Sequence, residues 1–342
     1  MPKCIYLQIG KESKWRRANH DRGGAEPASQ SPTLHLGPGN ARALGRLAGS
    51  WRSIMSRVIQ QPTRFAAITG AGSGLGRDIA LGLAAKGYRV FGTAITPEEI
   101  TELQQASGGA VTLTSCDITD EPAVKRWARA VSAQTDGGLN LLISNAGILT
   151  PGPIETLPLD SIRREFEVNV FGALSVINAF LPALRKARGR VVQVSTWTAS
   201  LPLPFNGPSG ASKAAMEVFS VVYRQELKRF GVDVVVAVAG NMKTGGPAKT
   251  AAALARTADQ MTPPERDLYG EAFKNYAAKL NSMQGNGLAS ADAAKRVIEL
   301  AEQNPAPRFA SVGRDTEEIL RVVRTHSDDE EDTLRLRIAG LK

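Results

Sequence analysis

From Thr63 onward, short apolar runs alternate with longer stretches in which apolar residues recur every three or four positions. The short runs predict strands at Phe65–Thr69, Tyr88–Thr93, Val111–Cys116, Leu139–Ser144, Val191–Ser195 and Val232–Val238, with a weaker one at Arg308–Val312. The helical spacing predicts helices at Gly74–Lys86, Glu121–Gln134, Asp160–Ala187, Ser209–Phe230 and Ala289–Glu302. Another helix opens at Pro97, where proline suits the first turn, and Gly87 ends the first one. Strands that are apolar throughout, each followed by a helix, predict a doubly wound parallel sheet: a single three-layer α/β/α domain. Residues 244–287 fit no strand and read as helical segments and loops inserted after the sixth strand. That segment is expected to act as a substrate loop or lid.

The first 54 residues carry no sustained periodicity and are rich in Gly, Pro, Ser and Arg. They read as a basic, disordered extension (1–54) ahead of the folded part (55–342), and Met55 reads as an alternative or true start. A secretory leader would need an apolar run of about 7–15 residues, which this stretch lacks. The extension also accounts for most of the +9 formal charge: it holds nine basic against three acidic residues, a net +6, while the rest nets +3. So balanced a domain, with no basic stripe interleaved with aromatics, predicts no nucleic-acid partner. Apolar stretches look too short for the roughly 20 residues of a membrane span, so no membrane association is expected. The two cysteines, Cys4 and Cys116, suit a reducing cytoplasm, and Cys116 reads as a small buried hydrophobe. All three histidines lie outside the periodic strand and helix runs, and no metal site is expected.

The chemistry begins at Thr69-Gly70-Ala71-Gly72-Ser73-Gly74-Leu75-Gly76, a glycine-rich turn between the first strand and its helix. Such a turn lets backbone approach a pyrophosphate at a helix N-terminus, the signature of a Rossmann-type dinucleotide site. With Asn145-Ala146-Gly147 after the fourth strand, it resembles the short-chain dehydrogenase/reductase family over about residues 63–313. The resemblance implies a nicotinamide cofactor held at its phosphates by Gly70, Ser73, Gly74, Leu75 and Gly76. It places Asp117 and Ile118 beside the adenine, and Asn145, Ala146 and Gly147 along the adenosine. After the sixth strand, Gly240 and Thr244 keep the nicotinamide-side pattern, although Ala239 stands where the family has proline. An acid that would bind the ribose hydroxyls of NAD is absent, because Ala94 and Ile95 occupy the end of the second strand. Its absence favours NADP(H) over NAD(H), although Ile95 is no phosphate partner either; Arg77 or Thr96 would have to supply part of one.

The family's catalytic set is Asn, Ser, Tyr and Lys. Asn169 matches the first, whose helix kink holds a water near the lysine, and Lys213 matches the last. The serine position falls on Thr196, flanked by Ser195. The tyrosine position, four residues before Lys213, is Ser209. A phenol starts near pKa 10 and can be tuned toward neutrality, whereas an aliphatic hydroxyl starts nearer water's roughly 15.7. Ser209 therefore substitutes imperfectly, and losing a positioned acid costs about 10²–10⁴-fold. Tyr223 is about 21 Å further along the helix and too far to help. Tyr269, Tyr276 or a water held by Ser209, Lys213 and Asn169 are left as alternative donors. The resemblance implies an oxidoreductase moving hydride between NADP(H) and a small carbonyl or alcohol, with Thr196 or Ser195 orienting the substrate oxygen. The rival reading is a non-catalytic dinucleotide-binding protein, a redox sensor or partner subunit. Relatives also imply a homodimer or homotetramer. Trp127, Phe166, Phe171 and Phe219 read as core or subunit interface.

Overall fold

The computed structural model describes residues 63–243 and 246–341. The basic extension at 1–54, Met55 and Thr244 lie outside the described residues.

Seven parallel strands form the central sheet: β1 (Arg64–Ile68), β2 (Tyr88–Ala94), β3 (Val111–Ser115), β4 (Leu141–Ser144), β5 (Arg190–Thr196), β6 (Asp233–Ala239) and β9 (Phe309–Val312). Their spatial order is β3-β2-β1-β4-β5-β6-β9, so the direction of winding reverses between β1 and β4. Ala66, Ala67 and Ile68 of β1 and Val234 to Ala239 of β6 are buried without alternation, as strands covered on both faces require. Helices α1 (Gly74–Ala85), α2 (Pro97–Ala106), α3 (Glu121–Gln134), α4 (Leu159–Phe166), α5 (Ala173–Ala187) and α6 (Gly207–Leu227) follow the successive strands. On one face Ile79 and Leu83 of α1 meet Val297 and Ile298 of α9 (Ser290–Glu302). The other face packs Trp127 of α3 edge-on against Phe180 of α5, with ring centroids 4.8 Å apart. Gly87 closes α1 with φ of +82°, a conformation that glycine adopts without the Cβ penalty.

Two findings depart from the sequence reading, and a third decides between alternatives it gave. The predicted helix Asp160–Ala187 is interrupted at Glu167–Gly172, where the backbone widens into a π-helix around Asn169. The combined run Leu159–Ala187 is also long and apolar enough to cross a bilayer, against the expectation of short apolar stretches only. It is apolar because it packs within the domain, with 61% of its apolar window buried. Of the two readings given to Phe171 and Phe219, core or subunit interface, exposure of 56% and 41% excludes the core, because both fall on the outer sides of their helices.

The segment after β6 holds two helices, α7 (Gly246–Gln260) and α8 (Pro263–Gly285), flanked by a two-stranded ribbon of β7 (Met242–Lys243) and β8 (Leu288–Ala289). Register Met242↔Leu288 ties the two ends of this segment together. Its apolar side forms a third cluster, with Leu254, Phe273, Tyr276 and Leu280 packed on Trp197, Leu201 and Leu203 beyond β5. Two further helices, α10 (Arg314–Val323) and α11 (Asp328–Ile338), close the chain. The acidic run Asp328–Asp332 starts α11, where its charges suit the helix N-terminus and Ser327 and Glu330 form a capping box.

Candidate active site

The glycine turn is held from behind. Thr69 Oγ1 accepts from the backbone N–H of Asn145 (2.9 Å) and Ala146 (3.0 Å), while Asn145 Nδ2 donates to the carbonyls of Thr69 and Gly70. Thr93 Oγ1 accepts from Gly70 N at 3.0 Å. These bonds tie β1, β2 and β4 together where the winding reverses, the position at which open α/β sheets form a ligand crevice. Gly70 and Gly74 have φ of +64° and +55°. A Cβ on Gly76 would collide with the Gly70 carbonyl and lie 2.6 Å from Asn145 Nδ2, so only glycine allows the helix to start this close to the turn.

The turn also fits an anion. Ser73 at the N-cap of α1 makes no side-chain capping bond, and the first turn of α1 carries no acidic residue. The N–H groups at this terminus are thus left free of side-chain caps and of acidic residues in their own turn, as a phosphate requires. Lys249 of α7 brings its ammonium to 3.3 Å from Ser73 Oγ, a contact the sequence did not suggest. At the edge of the turn, Glu99 lies against Gly72, and Ile95 is 66% exposed. Arg77 is paired with Glu102 at 2.8 Å and Thr96 caps α2 by accepting from Glu99 N, so neither is a free phosphate ligand. Asp117 accepts from Thr119 N and Oγ1 and pairs with Arg164 at 3.1 Å, while Ile118 is buried beside Gly172.

The reaction residues converge on the far side of β4. The π-helix points the carboxamide of Asn169 inward: Oδ1 accepts from Ile148 N (2.8 Å), and Nδ2 faces Ile148 O (3.0 Å), Ser212 Oγ (3.0 Å) and Glu165 Oε1 (3.2 Å). Lys213, half-buried on α6, donates to the Val194 carbonyl at 3.1 Å. A Cβ on Gly147 would come within 3.1 Å of Asn169 Oδ1 and 3.3 Å of Lys213 Nζ, so these two side chains meet over the Gly147 backbone. Burial lowers the Lys213 ammonium from its ordinary value, and the Glu165 and Glu217 carboxylates work against that shift. Glu165, fully buried, is pushed up to about 7 by burial, although bonds from Thr150 and the charge of Lys213 hold it down. Neither glutamate was identified from sequence. Glu165 lies one helical turn before Asn169 and Glu217 one turn after Lys213, and that i, i+4 spacing was the available signal.

Ser195 and Thr196 separate cleanly. The Ser195 hydroxyl donates to Glu217 Oε1 at 2.6 Å, whereas Thr196 Oγ1 only receives long contacts of 3.4 Å from Thr198. Thr196 therefore keeps its proton for a ligand. Ser209 is nearly buried at the start of α6, and its carbonyl accepts from Ser212 Oγ. Asp315 of α10 accepts from Asn241 N at 3.1 Å and lies against Gly240, bracing the chain after β6. Of the other tyrosines, Tyr223 is tied to Asn178 at 2.7 Å and Tyr269 to Glu155, both away from this site.

A cavity of about 530 Å³ is lined by Thr196, Ser209 and Lys213 together with Met242, Lys249 and Tyr276. Trp197, Leu203 and Leu280 add apolar surface. A glycine turn fit for a pyrophosphate, beside an apolar cavity with a half-buried lysine, fits hydride exchange at an oxygen-bearing carbon better than hydrolysis.

Comparison with known proteins agrees. A family model described as short chain dehydrogenase matches residues 64–254. The chain is 30% identical over 255 residues to an NADPH-dependent 3-dehydrocapnine reductase of Ornithobacterium rhinotracheale, covering 72% of this chain and 87% of that one. It is 31% identical to retinol dehydrogenase 5 of Homo sapiens, over 72% of this chain and 80% of that one. Among solved structures, a short chain dehydrogenase from Burkholderia cenocepacia in complex with NADP superimposes with a TM-score of 0.60 at 26% identity, over 81% of this chain and 97% of that one.

Proposed function

The chain belongs to the short-chain dehydrogenase/reductase family, and from that premise we propose that it moves hydride between NADP(H) and a small-molecule carbonyl or alcohol. The observation that carries this reading is the convergence of Lys213 and Asn169 over Gly147, where Gly147 and Lys213 line the same cavity as Thr196. A dinucleotide held at its phosphates by the glycine turn would supply or take the hydride through its nicotinamide. The side chains do the rest. Thr196 donates a hydrogen bond to the substrate oxygen, Lys213 places positive charge beside it, and Asn169 holds the lysine's surroundings in register. Gly70, Ser73, Gly74, Leu75 and Gly76 hold the phosphates, with Lys249 closing over Ser73. Asp117 and Ile118 stand by the adenine, and Gly240 by the nicotinamide.

NADP(H) is supported by the NADPH-dependent relative and the NADP-bound neighbour. We read the active site as atypical, with Ser209 in place of the family's tyrosine. That serine favours a second reading, a dinucleotide-binding protein without turnover; the retained Lys213 and Asn169 favour the first. The exposed apolar residues Phe171 of the π-helix and Val218, Phe219 and Val222 of α6 support a homo-oligomer through the helices at 160–187 and 209–230. Oxidation of NADPH and NADH by the full chain, followed against a broad carbonyl panel, tests the main reading. Turnover is expected. Tight cofactor binding without turnover of any substrate would favour the second reading.

A further inference from the structure

The cavity beside Lys213 contains polar atoms with nothing to bond. Tyr276 Oη, Asn206 Oδ1 and Gln284 Oε1 are each sealed from water and find no hydrogen-bond partner among the described residues, and all three residues line this one cavity. A buried polar group left unsatisfied costs about 1–3 kcal/mol, so three in one place point to a ligand that supplies the missing partners. Tyr276 is the most telling of them. Its ring is fully buried on α8 and packs against Phe205 and Phe273, with centroids 5.5 and 6.2 Å away. Phenylalanine would fill that apolar nest equally well, so packing leaves the hydroxyl unexplained. Phe205 and Asn206 lead directly into the start of α6, which places Tyr276 against the segment that carries Ser209.

Resting on the oxidoreductase reading, we propose that Tyr276 is a catalytic residue: its phenol meets the substrate oxygen that Thr196 also binds, in the space the short Ser209 side chain leaves open. As the carbonyl carbon takes up hydride, a C–H bond forms and the π pair moves onto oxygen. The Tyr276 O–H bond then breaks, its proton passes to that oxygen, and an alcohol results. When product leaves and solvent enters the emptied cavity, the phenolate takes a proton from bulk solvent and the phenol is restored. The charge around the site suits this step. Lys213, Lys249 and Arg256 line the cavity and no carboxylate does, so the negative charge that develops on the substrate oxygen meets a cationic lining. Burial holds the free phenol above its ordinary value, yet an alkoxide, near water's roughly 15.7, is the stronger base. Tyr269, the other tyrosine of this segment, is half-buried, committed to Glu155 and absent from the cavity lining.

The test uses the full chain, its best carbonyl substrate from the panel, and the variants Tyr276→Phe, Tyr269→Phe and Ser209→Tyr. Tyr276→Phe is expected to lower kcat about 10²-fold or more, with KM changed far less. Its Tm without ligands should equal or exceed that of the wild type, because an unbonded buried hydroxyl is removed. Tyr269→Phe should stay within twofold of wild type, and Ser209→Tyr should restore turnover in the Tyr276→Phe background. A Tyr276→Phe kcat within twofold of wild type overturns the proposal and leaves the oxidoreductase reading standing. A silent wild type beside an active Ser209→Tyr protein also overturns it. Silence from every variant removes the hydride-transfer reading itself.

Discussion

The two halves of the site are built on opposite terms. Around the glycine turn nearly every polar group is answered inside the protein: Thr69 by Asn145 and Ala146, Asn145 by the turn carbonyls, Gly70 by Thr93. In the cavity between β5 and α8, Tyr276, Asn206 and Gln284 go unanswered, and Lys213 has one carbonyl and two glutamates at a distance. The first half is a rigid cradle whose only open valences are the N–H groups at the start of α1. The second half keeps its valences for a substrate. Rigidity is concentrated where every substrate shares the same cofactor, and unsatisfied polarity where the substrate must be chosen.

This contrast breaks most visibly at Lys213. Lys213→Met should cut turnover about 10²–10⁴-fold, equivalent to about 3–5 kcal/mol of barrier, while NADPH binding measured by fluorescence changes by less than tenfold. Equal losses in binding and turnover would place Lys213 in the cradle instead.

Next comes the buried carboxyl beneath it. Glu165 has its folded-state pKa raised from 4.5 to about 7, so it favours the folded protein while it is protonated. That contribution is complete below about pH 4.5 and is lost as pH rises through about 7, on the order of 3 kcal/mol over the window. Urea unfolding of the wild type from pH 5 to 8 should show this decline, and Glu165→Gln should flatten it. A Glu165→Gln protein with the wild-type slope would mean another group titrates there.

In the cradle, Gly76→Ala forces a methyl into the Gly70 carbonyl and should cost about 1–3 kcal/mol, read as a fall in Tm, with weakened NADPH binding. The smallest effect sharpens the cofactor choice. The Glu99 carboxylate against Gly72 opposes any negative charge placed there. Glu99→Gln should therefore raise affinity for NADPH relative to NADH by about two- to fivefold, an effect that fades in high salt. An unchanged ratio would place the 2′-phosphate elsewhere.

What the sequence made legible follows the same division. The cradle's motif is local, one strand, one turn and one helix within some twenty residues, although the groups that hold it, Thr93, Asn145 and Ala146, come from further along the chain. The order of strands and helices was legible too, since continuous apolar runs have little choice but a doubly covered sheet. The cavity was only half legible. Asn169 and Lys213 carry family spacing, but the π-helix around Asn169 has no period of its own in a run that scans as one helix. Asp315 reaches Gly240 from 75 positions away, and Tyr276 acquires its meaning only when α8 folds back onto Phe205. Helix α10 escaped notice because its apolar residues Ile319, Leu320 and Val323 are few among charged ones. Phe171 and Phe219 stayed open between core and interface, since helical spacing alone does not say which side of a helix the sheet covers.

The most direct test of the account is steady-state NADPH oxidation by the full-length protein across the carbonyl panel, with Lys213→Met alongside. The account predicts turnover of at least one carbonyl substrate that Lys213→Met abolishes while still binding NADPH. A wild type that binds NADPH tightly, reduces nothing in the panel and begins to turn over only as Ser209→Tyr would contradict it.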